Sequence, residues 1–418
     1  MQSKTLGSIF ILCGTTIGAG LLALPLTAAG LGFLPTLALL IASYFIAALS
    51  SLVILEALAA TTAKVDGHFD SMCRATLGRV GEALFLVSYI TLMYSVTAAY
   101  LSGGSSIFQL LLTKLGIPLP DWMCSLLFTL LLGFVVFQGA KTTDFVNRYI
   151  MLAKGLLFLG IIWFFIPAIK VSYLLDMKGN APFVFGVIPI IFLIFGYQLI
   201  LPTLYIYLEK DITEMKKTIY IGSFISLMVF FIWLLTTLAS IPRFGDNSFY
   251  DFLSSADKDN VANFFDFIGQ VQSGTLTKSL MNIFSNLALI TSFLGITLSL
   301  KDYLFDLKLI KKTTHPKMYS TILTFIIPVL LVIFKPQIFQ AALNYAAGML
   351  VIVLLWLPCA MSLRIRQRAK EQHATLTYQA PGGLFSIALL IIIGVIIFVL
   401  SLLATMGWLP VFGSYPQS

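Results

Sequence analysis

Lys154 sits in Met151-Leu152-Ala153-Lys154-Gly155-Leu156-Leu157, a lone ammonium in an apolar run. In hydrocarbon such a charge is expensive unless it is paired, hydrated or neutral. A lysine at that depth is therefore suited to gain and lose a proton. The competing reading is snorkelling toward Arg148, about 9 Å away on a helix rising 1.5 Å per residue. Glu56 and Asp302 are the acidic residues available to partner it in the same proton chemistry.

Two interrupted segments offer binding chemistry. They are Gly14-Thr15-Thr16-Ile17-Gly18-Ala19-Gly20-Leu21-Leu22-Ala23-Leu24-Pro25 and Phe195-Gly196-Tyr197-Gln198-Leu199-Ile200-Leu201-Pro202. Both lie in apolar stretches long enough to cross a bilayer. An orphan N–H or C=O in hydrocarbon costs several kcal/mol, so a break survives only where it lines a cavity or binds something. Gly18, Ala19 and Gly20 leave backbone N–H groups bare, and a helix restarting near Leu21 adds the positive end of its dipole. A carboxylate fits there. Freed carbonyls near Thr15 and Thr16 suit an ammonium. Phe195, Gly196, Tyr197 and Gln198 add carbonyls and side chains, and the Gln198 amide suits a hydroxyl. The plainer readings are tight helix packing through Gly14 and Gly18, which have GxxxG spacing, and Gln198 as interhelical glue.

Two further sets are polar at depth. Tyr89, Met93, Tyr94, Thr97 and Tyr100 share a helix face that suits an aromatic ligand or ordinary packing. Asn286, Thr291 and Ser292 carry amide and hydroxyl groups in a later apolar segment, where bonding within the helix is the plain alternative.

The elements that must hold these residues are membrane helices. Of 418 residues, 59% are apolar and 11% charged, a balance no soluble globular domain needs. Eleven segments are long and apolar enough to span: 5–29, 34–61, 82–112, 122–138, 146–167, 183–206, 218–241, 278–300, 318–334, 338–361 and 384–408. The fold class expected is an all-α polytopic membrane protein. Residues 5–167 and 183–363 would form two inverted repeats of five spans, each opened by a broken helix, with 384–408 as an extra C-terminal helix. A cleaved leader over residues 1–29 is the weaker reading, because Thr15-Thr16 and the glycines interrupt its centre.

With the N-terminus cytoplasmic and the C-terminus outside, the outer loops hold only Lys114, Lys170, Lys178, Arg243, Lys258, Lys278 and Lys335 among basic residues. Most others, from Lys4 to Lys370, fall inside, as the positive-inside rule requires. The net charge of +8 then belongs to a face near anionic lipid, and nucleic acid is not an expected partner. Loop 63–79, with Lys64, Asp66, His68 and Asp70, reads as a short surface helix or a solvated loop. In loop 242–277 the aromatics Phe249, Phe252, Phe264, Phe265 and Phe267 imply packing on the protein. Cys13, Cys73, Cys124 and Cys359 form no CxxC pair, and no histidine lies at depth, so no metal or cofactor is expected.

Several motifs together resemble the hydroxy/aromatic amino acid permease family, with its tyrosine-specific branch the nearer. They are Thr16-Ile17-Gly18-Ala19-Gly20 with Leu24-Pro25, Ala99-Tyr100-Leu101-Ser102-Gly103-Gly104, Phe195-Gly196, Thr291-Ser292-Phe293-Leu294-Gly295, Asp302-Tyr303-Leu304 with Asp306, and Tyr378 to Gly383. The resemblance implies the amino acid–polyamine–organocation fold and proton-coupled uptake across a bacterial inner membrane. Carried over, the carboxylate site falls on Ala19 and Gly20, and the ammonium site on Thr16 and the second break. Lys154 resembles the lysine that stands where sodium-driven relatives bind an ion. Gln198 stands where some relatives have a histidine, which leaves tyrosine, tryptophan and phenylalanine open as substrate.

The alternatives are a sodium-coupled or serine/threonine permease of the same fold and, from other classes, an intramembrane enzyme, a channel or an amino-acid sensor. No Ser/Lys, Asp/Asp or HExxH constellation stands out for an enzyme. A channel would need a ring-like filter, and a sensor an appended signalling domain.

Overall fold

The computed structural model describes residues 2–18, 20–61, 68–255, 261–271 and 275–413. Ala19, residues 63–67 with Lys64 and Asp66, and Lys258 lie outside the described residues. Those described form helices and connecting turns, with no strand among them. Among the described residues ten helices are long and apolar enough to cross a membrane: Phe33–Thr61, Phe69–Lys114, Asp121–Gln138, Ala140–Ala168, Ala181–Tyr207, Ile212–Leu238, Leu276–Asp306, Pro316–Phe334, Phe339–Glu371 and Gly383–Thr405. These are spans 2 to 11. The pair Lys4–Thr16 and Gly20–Ala28, bent by 46°, passes the same test only when taken together, and is numbered span 1.

The outward faces of these helices are apolar, as lipid demands. Leu152, Leu156, Leu159 and Trp163 of span 5 are exposed, as are Phe385, Ile392 and Ile396 of span 11. Patches of that kind on a water-soluble surface would drive association. Inside, span 7 packs on spans 1 and 2, and the second half of span 1 packs on span 6. Spans 3, 4, 8 and 9 pack on one another, span 5 lies along span 8, and span 10 lies between spans 3 and 11.

Three features sharpen the sequence reading. Span 3 begins at Phe69, so most of loop 63–79 is helix, kinked at Gly78 where φ is 76°. Few residues but glycine adopt that φ, and a Cβ at Gly78 would meet nothing, so its requirement is backbone conformation rather than space. Span 10 runs on to Glu371 and contains a π-helical turn, Ile352–Trp356. Loop 242–277 carries two helices, Phe249–Ser254 and Val261–Val271, whose Phe249, Phe264 and Phe265 are fully buried.

Charge fastens both ends of the bundle. At the end carrying the N-terminus, Arg366 donates to both oxygens of Glu56 at 2.7 Å, and the Ala380 N–H donates to Oε2 at 2.7 Å. Thr5 donates to Glu214 at 2.6 Å, joining spans 1 and 7. At the opposite end Arg243 donates to the Lys178 carbonyl at 3.1 Å and pairs with Asp176 at 3.3 Å. Burial pulls this guanidinium below its ordinary range while Asp176 opposes the shift. Asp266 of Val261–Val271 accepts from Lys278 at 2.8 Å, Asn282 at 2.9 Å and Lys114 at 3.2 Å. Burial pushes its carboxyl up, but these three donors outweigh burial and hold it below the usual carboxylate range.

Candidate functional site

The first break is built from short, local hydrogen bonds. The Ile17 N–H still reaches Cys13 O at 2.8 Å, but the Gly18 N–H turns back to Thr16 O at 3.0 Å. The helix restarts at Gly20, and the Leu21 N–H bonds Gly18 O at 3.2 Å. Leu21 is the residue that would have served Ile17 O in a continuous helix. That carbonyl is instead taken by Lys154 Nζ at 3.2 Å. The same ammonium donates to Thr291 Oγ1 at 3.4 Å, while Thr291 donates within its own helix to Ala288 O at 3.0 Å. One buried cation thus joins spans 1, 5 and 8 at the break.

Small residues allow this approach. A Cβ on Gly18 would lie 3.0 Å from Ser292 Oγ, and one on Gly20 would lie 2.8 Å from Ile194 Cγ2. Gly18, Gly20, Lys154, Thr291 and Ser292 are therefore brought together, with the end of the first half of span 6 beside them. Ala19 lies outside the described residues. The hydroxyls of Thr15 and Thr16 turn back on their own helix, to Ile11 O at 2.9 Å and Leu12 O at 2.8 Å. What these two residues can offer a ligand is therefore backbone, and Thr16 O already accepts the Gly18 N–H.

The second break is a 3₁₀ turn, Gly196–Ile200, between helices Val184–Ile194 and Leu201–Tyr207. Phe195 is buried with its ring 5.4 Å from Phe230 of span 7. Tyr197 and Gln198 are fully buried against span 2. The Ser51 hydroxyl donates to Tyr197 Oη at 3.1 Å, and Gln198 Nε2 donates to Ala47 O at 3.4 Å. Gln198 Oε1 has no partner among the described residues. A Cβ at Gly196 would meet Leu350 of span 10 at 3.5 Å, an ordinary contact.

Three sequence expectations meet other partners. Glu56 does not pair with Lys154: it is clamped by Arg366, and fully buried. Burial of that carboxylate is tolerable because the bidentate guanidinium and a backbone N–H fill its lone pairs. Asp302 is half exposed and pairs with Lys301 at 3.2 Å, whose ammonium also reaches Val136 O at 3.3 Å at the end of span 4. Tyr94 sends its hydroxyl to Leu323 O of span 9 at 2.9 Å, within the group of spans 3, 4, 8 and 9. The sequence reading did not single out Arg366, Trp233 or the π-helical turn. Pro25 and Pro358, which remove backbone donors, were the available signals for the last two.

The fold and site define a multi-pass, all-helical membrane protein whose first span is broken at mid-length and held there by a buried cation. Residues 1–401 match the tryptophan/tyrosine permease family, and the chain belongs to that family. It is 30% identical over 413 residues to tyrosine-specific transport system 2 of Haemophilus influenzae, covering 98% of this chain and 99% of the relative. It is 30% identical over 411 residues to tyrosine-specific transport system 1 of the same organism, covering 98% and 99%. The tryptophan-specific transport protein of Pseudomonas aeruginosa is 29% identical over 414 residues, covering 98% and 97%.

Proposed function

We propose that this chain carries an aromatic amino acid, tyrosine foremost, inward across a bacterial inner membrane together with a proton. The N-terminus is cytoplasmic and the C-terminus periplasmic in this reading. Relatives whose names specify tyrosine and tryptophan transport support the substrate class. The observation that carries the mechanism is the Lys154 ammonium on the Ile17 carbonyl freed by the first break. The two five-span units, 5–167 and 183–363, then supply one broken helix each, and span 11 is an addition.

The substrate carboxylate binds backbone N–H groups around Gly18, Ala19 and Gly20, taking the Gly18 N–H from Thr16 O. Its ammonium binds carbonyls near Thr15, Thr16 and the Phe195–Gly196 turn. Tyr197 and Gln198 form the wall behind that turn, and Ser292 borders the carboxylate from span 8. Protonated, Lys154 ties span 5 to spans 1 and 8. Deprotonated, it loses the charge that strengthens both bonds, and the first half of span 1 is freer to move. A sodium ion between Ile17 O and Thr291 would sit where this ammonium already stands, and like charge opposes that reading. Glu56 acts with Arg366 to fasten spans 2 and 10 rather than to relay the proton.

Uptake of labelled tyrosine into proteoliposomes under an inward proton gradient, without sodium, tests the proposal. Accumulation above equilibrium that a protonophore abolishes is the expected result. Accumulation that appears only when sodium is added would overturn the coupling, and none under either gradient would overturn the substrate.

A further inference from the structure

Pro25 lies inside the helix Gly20–Ala28 that restarts span 1. Proline has no N–H, so the carbonyl four residues earlier, Leu21 O, loses its helical donor. In hydrocarbon that carbonyl must find another. It finds Trp233 of span 7, whose Nε1–H donates to Leu21 O at 2.6 Å. Trp233 is fully buried, and its ring lies 5.8 Å from Phe158 and 5.3 Å from Phe284. Phe158 is one turn beyond Lys154 on the same face of span 5. The indole is thus wedged between the helices that also carry Lys154 and Thr291.

An independent instance occurs in span 10. Pro358 removes the donor for Leu354 O, and the Ser50 hydroxyl of span 2 supplies one at 2.5 Å, beside the π-helical turn. Span 6 answers the same problem differently. Pro202 frees Gln198 O, which accepts the Leu201 N–H of its own 3₁₀ turn.

We infer that Trp233 is a positioning residue for substrate binding. Its indole replaces the backbone bond that Pro25 removes, and so fixes the direction in which the restarted helix aims its N-terminal N–H groups. The inference rests on the proposal that those groups bind the substrate carboxylate. Because the bond is made by another span, the half-helix is oriented by span 7 and turns with it. A continuous backbone bond would instead fix it to its own axis.

The test uses proteoliposomes containing Trp233→Phe, Pro25→Ala and the double variant Pro25→Ala/Trp233→Phe, with thermal unfolding of each purified carrier in parallel. Trp233→Phe keeps a ring and removes the donor, so the half-saturation concentration for tyrosine should rise about tenfold, the effect of one unsatisfied buried carbonyl. The maximal rate per folded carrier should fall less. Pro25→Ala restores a backbone N–H to Leu21 O, so the double variant should recover to within about threefold of the parent.

Unchanged affinity in Trp233→Phe would overturn the inference. A double variant as impaired as Trp233→Phe would also overturn it, by tracing the loss to ring packing. Should the parent fail to carry tyrosine, the carrier proposal fails separately. The unfolding midpoints then decide alone whether the indole replaces the backbone bond: recovery in the double variant supports that, and additive losses refute it.

Discussion

The two breaks solve one physical problem in opposite ways. In the second, the freed groups are satisfied nearby: the Phe195 N–H takes Phe192 O at 3.2 Å, and the Leu201 N–H takes Gln198 O. In the first, two carbonyls depend on side chains from other spans, Ile17 O on Lys154 and Leu21 O on Trp233. A self-contained turn keeps its hydrogen bonds wherever its helix goes. A break held by neighbours can be released by changing the neighbour, and a lysine changes by losing a proton. In the proposed mechanism the first break is therefore the one that couples, and the second serves as a wall.

The largest effect expected from this difference is at Lys154. Lys154→Gln keeps a donor but cannot ionise, so proton-driven tyrosine uptake should fall to the equilibrium level while binding persists. Concentrative uptake in that variant would erase the distinction between the breaks. Next comes a matched pair of glycines. Gly20→Ala brings a Cβ to 2.8 Å from Ile194, whereas Gly196→Ala brings one only to 3.5 Å from Leu350. Overpacking of the first kind costs roughly 1–3 kcal/mol, or about five- to 150-fold in tyrosine affinity, and the second change should alter affinity less than about threefold. Equal losses in a binding assay would mean that both breaks are equally confined. The smallest effect is expected from Ser51→Ala. It removes the hydroxyl on Tyr197 behind the second break, and should lower stability by about 1 kcal/mol in thermal unfolding. The pH dependence of uptake should stay unchanged; a shifted profile would bring the second break into the coupling.

Much of this arrangement was legible in one dimension. Runs of apolar side chains gave the spans, because the bilayer requires about 20 apolar residues of helix wherever the chain crosses. Gly18, Gly20 and Gly196 marked the breaks, because glycine and proline act on the backbone locally. Lys154 announced itself as a charge that hydrocarbon does not tolerate alone. Its partner was not legible. Glu56 was the plausible acid, yet its guanidinium partner Arg366 lies 310 residues away and reaches it only because spans 2 and 10 meet. Tyr94 shares a helix face with other polar residues, but that helix is rotated so its hydroxyl meets span 9.

The sequence by itself determined that the chain lies in a membrane, where its helices break, and that a cation and several unsatisfied carbonyls must be accommodated at depth. Hydropathy, missing N–H groups and buried charge are properties of residues and their near neighbours. Only the tertiary structure decided which carbonyl receives Lys154, that Trp233 stands in for the donor absent at Pro25, and that Glu56 fastens helices to one another. Those choices depend on how the helices rotate and pack, which residues hundreds of positions apart settle together.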